Sequence, residues 1–160
     1  MKKLFIFILV SLLSVSVFCE AFNLLPWSAK KDKIISDMVN NGWECSLNKN
    51  HYDFKPKNKK VTYCGENLMQ LSLMFDSDDN LIVQNLFIDN NYDLTDGLMS
   101  ILTQAVIDKA QFIDTTYKSE DTGKILTYIA KIDNYKALYM LIASSDKVIV
   151  GLTYSTVDNF

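Results

Sequence analysis

The chain has 160 residues, 49% of them hydrophobic, with a formal net charge of −3 and no arginine. That is enough apolar material for one domain with a real core. An acidic chain without guanidinium groups lacks the usual means of gripping phosphates and base edges, which argues against a nucleic-acid partner.

The N-terminus reads as an export signal. Met1-Lys2-Lys3 is a basic start, Leu4 to Phe18 is an uncharged apolar run, and Cys19-Glu20-Ala21 offers small residues for cleavage after Ala21. Fifteen apolar residues are short for a membrane span. Cys19 raises a second route, lipid modification at that cysteine, although Phe18 fits that pattern poorly. Residues 1–21 hold two of the 16 lysines and one of the 19 acids, so without them the net charge is −4. The expected organisation is therefore a signal peptide over 1–21 and a single α+β domain over 22–160, exported to the periplasm or beyond.

Phe22 to Trp27 is a short apolar lead-in. Ser28 is a candidate cap for a helix from Ala29, with Ile34, Ile35, Met38 and Val39 at helical spacing. Asn41-Gly42 stops it, and Trp43 follows as a core residue. Strands are expected over 44–48 and 60–64, with a polar, lysine-rich connection between them. Asn67 to Asp89 is the clearest segment, two strands of alternating pattern around the acidic turn Asp76 to Asn80. Here Met69, Leu71, Leu73 and Phe75 share one face. A second helix is expected from Asp93 to Phe112, its stripe formed by Leu94, Leu98, Ile101, Leu102, Ala105 and Phe112. A polar link over 118–123 and strands over 124–132, 136–144 and 147–155 follow.

The two halves, 28–89 and 93–155, share an order of elements. The pattern reads as two helix-then-antiparallel-strand units, an α-β-β-β repeat, sharing one antiparallel sheet with both helices on one face.

Few residues carry specific chemistry. Cys45 and Cys64 flank a strand–loop–strand unit, and in an exported chain they are expected to form a disulfide. Closing that loop of about nineteen residues would constrain the unfolded chain by roughly 3 kcal/mol. The turn Asp76 to Asn80 resembles the start of a calcium loop, but Leu81 and Phe87 stand where that loop needs glycine and glutamate. His51 is the one histidine and lies in no hydrolase motif. No catalytic, cofactor-binding or metal-ligating set can be assembled from the sequence. The candidate partner surfaces are the lysine loop, with Tyr52, Phe54, Lys55, Lys57, Lys59 and Lys60, and the sheet face with Gln70, Ser72, Met74, Thr127 and Ile129. The function expected is a non-enzymatic binding or inhibitory module of the bacterial envelope that engages a protein or envelope component. The alternatives are an envelope assembly protein anchored through Cys19 and, behind it, a small hydrolase.

Overall fold

A computed structural model of the protein describes residues 19–63, 65–90, 94–120, 123–133, 135–143 and 148–156. The elements in chain order are β1 (Cys19–Ala21), α1 (Lys31–Asn40), β2 (Trp43–Asn48), β3 (His51–Pro56), β4 (Lys60–Tyr63), β5 (Glu66–Phe75) and β6 (Leu81–Asn90). Then come α2 (Leu94–Ile107), β7 (Gln111–Glu120), β8 (Gly123–Ile132), β9 (Tyr135–Ala143) and β10 (Val148–Ser155). All the strands belong to one ten-stranded mixed sheet, and the described chain is 62% strand and 18% helix. This corrects the expected fold class. The protein is not a pair of helix-plus-three-strand units with both helices on one face; it is a broad sheet with two helices.

The sheet runs β1-β4-β5-β6-β10-β9-β8-β7, and β2 joins through β3. One edge of β5 serves two partners in succession. β4 takes Glu66 and Asn67, and β3 takes Leu71 to Leu73. The chain from His51 to Tyr63 is thus one strand interrupted around Lys57 to Lys59. The last strands of the two halves, β6 and β10, lie antiparallel at the centre, from Val148 opposite Asn90 to Ser155 opposite Val83. From that seam β10, β9, β8 and β7 form a meander on one side. β6, β5, the interrupted β3/β4 strand and β2 mirror it on the other.

Local chemistry explains where the expected boundaries moved. Ser28 caps nothing; Lys30 holds the cap position of α1 in extended conformation and bridges Asn80. Gly42 does close the helix, with φ 78°. The lysine-rich connection is largely strand: β3 pairs with β2 through a two-residue turn in which Lys49 takes φ 55°. The helix expected to reach Phe112 ends at Ile107 in a Schellman motif. Lys109 takes φ 53°, its N–H reaches the Val106 carbonyl, and the Ala110 N–H reaches the Ala105 carbonyl. Glycine usually marks that turn, so a lysine there hides it from the sequence. Phe112 and the expected link at 118–120 are both in β7. The Asp93 cap lies outside the described residues.

The core lies on one face of the sheet. In β5 a bulge at Met69 moves the alternation by one residue, so Leu68 is buried beside Leu71 and Leu73 and Met69 is turned outward. Opposite them stand Leu86 and Ile88 of β6, then Val150, Leu152 and Tyr154 of β10, then Tyr139 and Leu141 of β9. Residues 22–29 form a strap over this face. Phe22 packs on Trp43 and Tyr63, and Trp27 packs on Tyr135. The fully buried Gln84 side chain clamps the middle of the strap, accepting from the Leu25 N–H at 2.8 Å and donating to the Leu25 carbonyl at 2.9 Å. No helix among the described residues is long and apolar enough to cross a membrane.

Candidate functional site

The residues named from the sequence do not converge. Phe54 has no exposed surface and belongs to the core, so it cannot meet a partner. Tyr52 is half-buried, its ring 5.7 Å from that of Phe75. Lys59 is already engaged. It donates to Glu20 and to the Asn41 carbonyl, both at 2.6 Å, and its ammonium lies 5.3 Å from the centroid of Trp43. Lys57 lies 3.8 Å from Glu44, an exposed pair of small energetic weight. Lys55 and Lys60 are exposed. Cys45 is an exposed free thiol on β2, and Cys64 lies outside the described residues. The Asp76 carboxylate closes its own turn, accepting from the N–H groups of Asp78 and Asn80 and from the Asn80 amide. Those bonds, the one from the Asn80 side chain foremost, hold its pKa below the ordinary carboxylate range.

On the outer face, opposite the core, register decides which side chains are neighbours. One row runs Thr127, Met140, Gly151, Phe87, Gln70 across β8, β9, β10, β6 and β5. The row beside it runs Ile129, Leu138, Thr153, Asn85, Ser72, Asp53. On the other flank Ile125, Ile142 and Ile149 are adjacent. Ile129 is therefore four strands from Ser72, roughly 19 Å, and Met74 sits beyond Ser72. Met74 and Ile129 belong to different parts of the face and make no common patch.

Two characters divide this face. The β5 side is polar: Gln70 donates to Ser72 at 3.0 Å and the Ser72 hydroxyl donates to Asp53. The β8–β10 side is apolar, with Ile125, Ile129, Leu138, Met140, Ile142 and Ile149 contiguous and each partly exposed. Gly151 lies at its centre, where an added Cβ would stand 3.3 Å from the Met140 terminal methyl. The missing side chain lets Met140 lie flat across β10. Lys131 and Lys136 face each other at one end of the patch, and Lys118 stands beside Ile125 at the other. The sequence shows this patch only as alternation within three strands; which strands are adjacent comes from the fold.

A second cluster, missed by the sequence reading, lies on the inner face. Asp108 follows the last turn of α2, where the helix dipole disfavours an anion. Three donors offset that. The Tyr139 and Tyr154 hydroxyls donate to Oδ2 at 2.7 and 2.8 Å, and the Gln104 amide donates to Oδ1 at 2.7 Å. The Tyr63 and Tyr154 hydroxyls are 3.2 Å apart. Burial raises the pKa of both Tyr139 and Tyr154 well above the ordinary phenol value, aided by the Asp108 charge. Phenols so held remain hydrogen-bond donors and are unsuited to act as bases at neutral pH. The arrangement fastens the end of α2 to β9 and β10. No group of three or more His, Cys, Asp or Glu side chains suited to a metal ion occurs among the described residues. No protein-family model, curated protein or solved structure matches this chain.

Proposed function

We propose that this protein is an exported, non-enzymatic binding or inhibitory module that captures a partner protein on the outer face of its sheet. The observation that carries the reading is the contiguous apolar surface of Ile125, Ile129, Leu138, Met140, Ile142 and Ile149, each left partly exposed. Side chains of this kind in one patch are costly to leave in water and mark sites of association. Lys118 beside Ile125 and Lys131 beyond Ile129, with Asp114 opposite Ile129, give the patch a charged rim, mainly basic, that favours a partner segment with apolar side chains flanked by carboxylates. The lysine-rich stretch is the weaker surface, because Lys59 is held by the Asn41 carbonyl and the Trp43 ring and Phe54 is buried in the core. Export rests on the charged start, apolar run and small-residue site of residues 1–21.

The test begins with affinity capture from the envelope fraction of an expressing host, followed by measurement of binding to the captured component. Met140→Asp and Ile149→Asp should each weaken binding at least about tenfold, since each desolvates a carboxylate in an apolar contact. Replacing Lys55, Lys57 and Lys60 together by glutamine should change it less than about threefold. The reverse pattern would move the site to the lysine-rich stretch and overturn this reading.

A further inference from the structure

We propose that β7 is a self-association edge, pairing antiparallel with β7 of a second copy of this chain. This goes beyond the binding-face reading and does not depend on it.

Among the described residues β7 is the outermost strand of the sheet on its side, hydrogen-bonded to β8 alone. It is ten residues long, and every residue from Gln111 to Ser119 is exposed. Its other edge has no strand partner among the described residues and is a template for another strand; the Thr115 N–H is held by its own Asp114 carboxylate at 2.8 Å, a local bond that pairing with a second copy would exchange. Exposed apolar side chains accompany this edge, Ile113 at 59% and Tyr117 at 60%.

The sequence of β7 is complementary to itself in one register. In an antiparallel pair, opposed residues project side chains to the same face and point their backbone groups the same way. Two copies of one strand related by a two-fold axis must therefore oppose residues of like parity, so the axis passes through a residue. An axis through Thr115 sets Lys118 against the irregular step at Phe112 to Asp114, where the ladder is bulged. An axis through Tyr117 sets Lys118 against Thr116. An axis through Thr116 sets Asp114 against the partner's Lys118, and its own Lys118 against the partner's Asp114.

That third register also opposes Thr116 to its own copy and Tyr117 to Thr115, pairs of the aromatic and β-branched kind that stabilise sheets. The ladder from Asp114 to Glu120 is regular, so the five residues the axis needs on each copy lie beyond the bulge. The opposed charges would sit about 5 Å apart at Cβ, within reach of an ion pair. The occupant of this edge is thus a second copy, bound isologously.

Sedimentation velocity on the protein recovered from an exporting host, with reductant present so that Cys45 cannot cross-link, provides the test. The wild-type chain should shift from monomer towards dimer between about 1 μM and about 1 mM. Lys118→Asp sets carboxylate against carboxylate, and Asp114→Lys sets ammonium against ammonium. Each should raise the dissociation constant at least about tenfold. The double variant Asp114→Lys/Lys118→Asp restores opposite charges and should restore the dimer. A purely local effect on the fold would not reverse in that way, and far-ultraviolet circular dichroism of all four proteins checks that each is folded. A wild-type chain that stays monomeric at the highest concentration overturns the proposal, as does a dimer indifferent to both single changes.

Discussion

The Tyr154 hydroxyl donates to the Asp108 carboxylate at 2.8 Å, joining the last strand of the chain to the end of α2 across 46 residues. The bond places a charge-accepting oxygen beneath the sheet's inner face, with Tyr139 as a second donor to the same atom.

Removing one donor should be felt in stability. Tyr154→Phe is expected to cost about 2 kcal/mol, the range for a hydrogen bond to a charged group. Urea unfolding measures it. Combination with Asp108→Asn should cost less than the sum of the two single changes, because both remove the same interaction.

Alkaline pH should destabilise the protein through the same pair. Both phenols have folded-state values raised above 10.0, the ordinary value that the unfolded chain retains. Above about pH 10 the unfolded chain releases protons that the folded chain keeps, so stability falls as pH rises. The contribution is complete below that pH. Phenolate absorbance should show two tyrosines that ionise only with unfolding, and Tyr154→Phe should leave one.

Helix α2 should show a sharp contrast between its faces. Ile101 has no exposed surface, whereas Met99 is 56% exposed. Ile101→Ala should cost about 3 kcal/mol and Met99→Ala less than about 0.5 kcal/mol, both read from denaturant midpoints. Equal losses would show that α2 packs through another face.

Cys45 should react with alkylating reagents in the native protein, and slowly at neutral pH. Burial, with the nearby Asp53 charge, raises its thiol above the ordinary value, so the reactive thiolate is scarce until the pH is raised. Mass spectrometry after native labelling identifies the site. An inert Cys45 that reacts only after reduction would instead support the bridge to Cys64.

The mature chain is expected to begin near Phe22, and its intact mass decides this. Cleavage there removes Cys19 to Ala21, the three residues of β1 that run parallel to Lys60 to Thr62, together with the Glu20 partner of Lys59. Phe22 itself donates its N–H to the Thr62 carbonyl at 2.7 Å, so the strap starts at the new terminus. A mass that includes a lipid on Cys19, or the whole of 1–21, would refute the site.

The sequence by itself determined the elements whose signals are local. The Asp76 turn, the hairpin around it, the Gly42 stop and the last three strands follow from two-residue alternation and from residues that bond their own backbone. Where a lysine takes the place of glycine, at Lys109, the end of α2 is hidden, and the expected helix overruns into Gln111 and Phe112, the first two residues of β7. The bulge at Met69 was equally invisible, because a single unpaired residue changes the face of its neighbours without changing the pattern of residue types. Only the tertiary structure decided which strands touch. Adjacency across β8, β9 and β10 makes an apolar patch of residues spread from Ile125 to Ile149, and the approach of α2 to β9 and β10 brings Asp108 to Tyr139 and Tyr154. Periodicity fixes the face of a side chain within its own strand; its neighbours depend on long-range pairing that no local pattern encodes.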